Sequence, residues 1–175
     1  MNDMVHLIEP LIPALRRYAR SLVRDRFAAD DLVQDCLERA VSRWHQRRRD
    51  GDPRTWVFSI LHNLAVSRFR RQKRGPVEFA IEDTADRDVS QIASQDKTVE
   101  VQDMLRCVDL LPEEQRSVLL LVGLEDLSYT QAAEVLGIPV GTVMSRLSRA
   151  RDRLIELMDG GGAAQPSKPL LWRVK

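Results

Sequence analysis

An all-α fold, built as two small helical domains joined by an acidic linker, follows from three features of the sequence. Aromatic residues are scarce, at 5%, while Leu, Ala, Arg and Val are common, which favours helices over a β-sandwich or barrel. Apolar residues recur at helical period on both sides of the chain's middle. The middle, "GPVEFAIEDTADRDVSQIASQDK" (75–97), has no such period and is rich in acidic and small polar residues. Hydrophobic residues are 43% of the chain, enough to bury a core and exclude a disordered polymer.

The elements follow in order. Leu7, Leu11, Leu15, Tyr18 and Leu22 predict a first helix, whose start Pro10 and Pro13 limit. A second runs from about Ala28 to Trp44, with Leu32, Val33, Cys36, Leu37, Ala40, Val41 and Trp44 on one side. Gly51 and Pro53 then break the pattern. A third spans Arg54 to Gln72, apolar at Trp56, Val57, Ile60, Leu61, Leu64 and Val66 and basic at its end. The expected division is a first domain at 1–74, a linker at 75–98, a second domain at 99–159 and a flexible tail at 160–175. In the second domain helices cover Val99 to Leu110 and Pro112 to Val122. "SYTQ" (128–131) fits a capping box, Ser128 capping and Gln131 reaching back. That helix ends at Leu136, with Gly137 suited to a left-handed cap. Pro139 fits the first position of the last helix, where its missing N–H costs nothing.

The net charge of +1 hides an asymmetry. Residues 1–75 carry 16 Lys/Arg against 9 Asp/Glu, residues 76–110 carry 3 against 9, and residues 111–159 carry 5 against 8. A basic first part meets phosphates. The whole chain lacks the positive excess of a protein that holds DNA unaided. Cys36 and Cys107 are far apart and in no ligand spacing, so a disulfide framework or zinc site is not expected, and a reducing cytoplasm fits. No signal peptide is read at the N-terminus. The longest apolar run, "SVLLLVGL", is too short to span a bilayer. No Gly-rich phosphate loop or metal-ligand cluster is present, so neither catalysis, a metal nor a cofactor is expected.

The turn "AAEVLGIPVGTVMSRLSRAR" (132–151) reads as a helix-turn-helix. Val143, Leu147, Ala150, Leu154 and Leu157 face the core, leaving Thr142, Ser145, Arg146, Arg149 and Arg153 outward. Short hydrogen-bonding side chains and arginines on the first turns suit entry into a major groove. Gly141 leaves room for backbone N–H groups to approach a phosphate. A repressor, an activator and a polymerase subunit all stay open at this point.

Four segments occur in order: "ADDLVQDCLERAVSRW" (29–44), "PRTWVFSILHNLAVSRFRRQKR" (53–74), "LLPEEQRSVLLL" (110–121) and "LSYTQAAEVLGIPVGTVMSRLSRARDRL" (127–154). Together they closely resemble an extracytoplasmic-function sigma factor of bacterial RNA polymerase, over about residues 5–158. The resemblance implies a first domain that melts and reads the minus-10 promoter element and a second that reads the minus-35 element. It assigns Asp31, Leu32, Val33, Gln34 and Asp35 to docking on core RNA polymerase. It makes Arg54, Thr55, Asn63, Ser67, Arg70 and Arg71 the minus-10 candidates, with Asn63 suited to a base edge and the arginines to phosphates. Thr142, Ser145, Arg146 and Arg149 match the minus-35 helix. Trp56 and His62 are expected to be structural. An anti-sigma factor is implied as a further partner, and membrane insertion is not. Met144 stands where the family often has a basic residue.

Two rivals from outside this reading are an autonomous helix-turn-helix regulator and a sigma mimic that titrates an inhibitor. The first needs a ligand pocket, receiver or dimer seam, and no such pattern is found. The second would share the fold, but the basic residues of both reading helices argue against it. The acidic linker, with Glu82, Asp83, Asp86 and Asp88, is a candidate polyanion inside polymerase. The apolar cluster 168–174 reads as a flexible end.

Overall fold

The computed structural model describes residues 2–23, 25–48, 50–74 and 98–160. Linker residues 75–97 and tail residues 161–175 lie outside the described residues, whereas Thr98 and Gly160 belong to helices. The first domain comprises α1 (Asn2–Ile8), a 3-10 turn (Glu9–Leu11), α2 (Ile12–Leu22), α3 (Arg26–Ser42), a 3-10 turn (Trp44–Gln46) and α4 (Pro53–Arg74). The second comprises α5 (Thr98–Asp109), α6 (Glu113–Gly123), α7 (Tyr129–Leu136) and α8 (Val140–Gly160). No strand occurs among the described residues.

The chain starts a helix earlier than the prolines suggested. Pro10 sits early in the 3-10 turn and Pro13 early in α2, positions whose N–H groups are not needed within a helix. Asp25 caps α3, its Oδ1 accepting from the Ala28 N–H at 2.6 Å. This helix stops at Ser42, so Trp44 lies in the following turn and Val41 is exposed rather than facing the core. Asp52 does the same for α4, accepting from the N–H groups of Arg54 and Thr55, with Pro53 opening the helix.

Packing in the first domain is α2 on α3, α3 on α4 and α2 on α4. Tyr18 and Phe58 meet at 5.6 Å between ring centroids at its centre. In the second domain α8 carries α5, α6 and α7. Val143, Leu147, Ala150 and Leu154 are buried as expected, while Leu157 is only half-buried. The capping box is present: Ser128 Oγ accepts from the Gln131 N–H at 3.1 Å, and Gln131 Oε1 accepts from the Ser128 N–H at 2.9 Å. Gly137 ends α7 at φ 64°, where a Cβ would strain. Pro139 stands just outside α8, its carbonyl accepting from Val143, instead of at the first helical position.

The two domains do not stand apart. Helix α2 packs on α6 and α4 on α7, so buried residues from Ile8 to Leu154 form one cluster.

Candidate nucleic-acid and protein interfaces

The acidic segment of α3 divides by burial. Leu32 and Val33, each 3% exposed, belong to the core. Leu32 therefore serves the core rather than the docking surface assigned to it, and Val33 shows only an edge, at the floor of a surface groove. Asp31, Gln34 and Asp35 are exposed, and Glu38 joins them by accepting a hydrogen bond from Gln34 at 3.1 Å. Spacings of three and four place these on one stripe. A groove of about 400 Å³ lies along it, lined also by Arg16, Asp30, Val33 and Leu37.

The minus-10 candidates also divide. Asn63, Ser67, Arg70 and Arg71 are exposed along one stripe of α4. The Ser67 hydroxyl donates to the Asn63 carbonyl at 2.8 Å. About 14 Å away along the same helix, Arg54 and Thr55 face the other domain's side. Thr55 is buried, its Oγ1 donating to Asp52 at 2.8 Å. Its hydroxyl is thus a helix-start tether and, in this arrangement, not open to DNA.

Above Thr55 the loop is stiffened by Arg47, whose guanidinium covers the Trp44 ring at 4.7 Å and donates to the Gly51 carbonyl at 2.8 Å. Trp44 meets Trp56 edge-on at 5.9 Å, so Trp56 packs structurally. His62 is structural as well. Its Nδ1 lies 3.1 Å from the Tyr18 hydroxyl, and burial pulls its pKa down to about 4. A cavity of about 240 Å³ under the loop is lined by Arg47, Gly51, Thr55 and Trp56, and also by Glu134 of α7.

Glu134 marks a seam that sequence reasoning missed. Glu125, in the turn between α6 and α7, has a fully buried side chain. It accepts from Arg17 Nη2 at 2.9 Å and Nε at 3.3 Å. Arg54 donates to the Glu125 carbonyl and stands 3.9 Å from its carboxylate. Burial raises the Glu125 pKa against the opposing pull of both arginines. Gln131 Nε2 adds a bond to Asp52 at 2.9 Å. Burial pushes the Asp52 pKa up, but bonds from Thr55, Arg54 and Gln131 outweigh it and hold it below the usual range. A charged residue in a turn reads as solvated, and nothing in periodicity pairs positions 108 apart.

On the helix-turn-helix face, Ser145 and Arg149 are exposed and tied together, Arg149 Nε donating to the Ser145 carbonyl at 3.2 Å. Thr142 is half-buried, its carbonyl accepting from Ser145. Arg146 is held by Glu114 of α6 at 2.8 Å. A Cβ at Gly141 would meet nothing within 4 Å, so the fold itself does not require glycine there. Among the described residues no cluster of His, Cys, Asp or Glu could hold a metal, and no helix is long and apolar enough to cross a membrane.

Comparison with known proteins matches both halves. The sigma2 domain of PhyR matches residues 8–62, and sigma-70 region 4 matches residues 102–154. The ECF RNA polymerase sigma factor EcfG of Rhodopseudomonas palustris (strain TIE-1) is 38% identical, over 87% of this chain and 83% of its own. Among solved structures, the sigma factor RpoE from Bartonella quintana, in complex with the anti-sigma factor NepR, aligns with a TM-score of 0.75 and 29% identity, over 93% of this chain and all of that one. CnrH, in complex with the cytosolic domain of CnrY, aligns at 0.68 and 27%, over 91% and 89%.

Proposed function

We propose a division of labour between the two domains from the premise that this chain belongs to the ECF RNA polymerase sigma factors. As such it is no enzyme: it binds core RNA polymerase and directs promoter-specific initiation. In our reading the α3 stripe of Asp31, Gln34, Asp35 and Glu38 docks on a basic surface of core polymerase, with Leu32 and Val33 supporting it from below. The α4 stripe of Asn63, Ser67, Arg70 and Arg71 meets the melted minus-10 strand, Asn63 reading a base edge and the arginines holding phosphates. Arg54 joins it once the seam opens. Ser145 and Arg149 read the minus-35 groove, with Thr142 and Arg146 at its backbone.

What supports this reading is that the acidic α3 stripe and the basic α4 stripe are both exposed in the arrangement where the seam is closed. They are available to polymerase before DNA is engaged. The second domain, with 5 basic residues against 8 acidic over 111–159, is poorly charged for independent DNA binding. Polymerase then delivers it. Work of this kind belongs to the cytoplasm. An anti-sigma factor is a fitting further partner, because the aligned RpoE and CnrH structures are complexes with NepR and CnrY.

Run-off transcription with core polymerase on a randomised promoter library tests this reading. It should yield start sites with two enriched elements, lost on charge reversal of Asp31 and Asp35. Transcripts without any enriched upstream element would overturn it.

A further inference from the structure

We propose that Arg17 and Arg54 form one anion fork on the first domain, held by Glu125 here, Arg17 through the carboxylate and Arg54 chiefly through the backbone carbonyl beside it, and by a backbone phosphate of the melted promoter strand once the second domain moves away. This rests on the reading that the first domain meets promoter DNA. Arg17 lies on α2 and Arg54 in the first turn of α4, and these helices pack together. Both guanidinium groups therefore converge on one point of one rigid body. Arg17 grips the carboxylate with two donors, at 2.9 and 3.3 Å, a side-on geometry that serves a phosphate equally.

Glu125 fits the fork incompletely. Arg54 stands 3.9 Å from the carboxylate and gives its Nη2 to the Glu125 backbone carbonyl instead, while its Nε finds no hydrogen-bond partner among the described residues. The Arg17 and Arg54 side chains are 45% and 35% exposed while Glu125 is at 0%, so the cations can be approached but their present anion cannot. The Glu125 and Leu127 N–H groups are bonded back to Leu120 and Leu121, and Asp126 adopts φ 52°, so a tight turn presents the carboxylate. Closing of the two domains and binding of the strand thus compete for the same pair of cations.

The full-length chain and its complex with core polymerase are titrated with a labelled single-stranded oligonucleotide of mixed sequence, across a salt series. Phosphate contacts carry no sequence information, so the probe needs no promoter. Glu125→Gln should tighten binding at least about fivefold by removing the competing charge. Adding Arg17→Gln to that variant should weaken binding again and lower the salt slope by about 0.7, one phosphate contact on a single strand. Should the double variant fail to fold, Glu125→Gln with Arg17→Lys takes its place, keeping the charge and losing the two-donor grip, with an affinity between the two. No tightening in Glu125→Gln overturns the competition. A salt slope unmoved by Arg17→Gln, or with Arg17→Lys an affinity no weaker than that of Glu125→Gln alone, overturns the phosphate site. In either case wild-type run-off transcription still stands as the separate test of the sigma reading.

Discussion

Two glutamates of the second domain pair with arginines at comparable distance and in quite different surroundings. Glu125 meets Arg17 at 2.9 Å across the domain seam, its side chain wholly buried. Glu114 meets Arg146 at 2.8 Å within the domain, with the glutamate 69% exposed. A buried carboxylate depends on its partner, because losing that partner leaves a charge out of water with nothing to offset it. An exposed pair costs little to break and acts through position alone. The seam pair therefore controls how the domains sit together. The surface pair controls only where one guanidinium points.

Breaking the seam should have the largest effect. Arg17→Gln leaves Glu125 buried beside a single, more distant cation. We expect a loss of about 2–3 kcal/mol, the low side for a buried pair because Arg17 is itself half open to water. Small-angle scattering would show the chain expanding, and thermal unfolding would split into two transitions. One transition at unchanged compactness would place the pair with Glu114, among bonds of no consequence to domain arrangement.

Acid sharpens the comparison through a different buried group. His62 is held neutral, its pKa lowered to about 4 from 6.5 by burial. The folded state binds fewer protons than the unfolded one between those values. Stability is therefore full above pH 6.5 and falls as pH drops toward 4, by roughly 1–3 kcal/mol. Glu125 runs the other way: its raised pKa makes acid favour the closed form for that group. In Glu125→Gln the histidine contribution stands unopposed, with Asp52, whose depressed pKa also costs stability in acid, on the same side, so the variant should lose stability in acid more steeply than wild type. Urea melts at pH 7 and pH 5 measure this.

Legibility in the sequence tracks the same distinction between local and distant partners. Ser128 and Gln131 are three residues apart, so their reciprocal caps could be read directly, as could Gly137. Ser128→Ala should accordingly cost about 1 kcal/mol in thermal stability. The segment from Asp31 to Asp35 was readable as a surface only in part. Its motif does not say that Leu32 and Val33 point inward while Asp31, Gln34 and Asp35 point out. Thr55 was misplaced for a related reason, since a hydroxyl at a helix start serves a cap as readily as a base. The Arg17–Glu125 pair left no trace at all, because its members are brought together only by the packing of α2 on α6.

The smallest expected effect tests the surface pair. Glu114→Gln should change thermal stability by no more than about 0.5 kcal/mol, as an exposed pair does. Its consequence lies in DNA binding. Glu114 stands in the first turn of α6, and its charge both holds Arg146 and repels a nearby phosphate. With the charge gone, Arg146 is released to the DNA backbone, and holoenzyme affinity for its promoter should rise a few-fold. The salt slope should steepen by up to about 0.9, one phosphate on a duplex. The gain should be the same for promoters altered in the minus-35 element, since a phosphate contact carries no sequence. If discrimination between those promoters fell instead, Arg146 would be a base reader that Glu114 aims. The surface pair would then matter to specificity as much as the seam pair matters to arrangement.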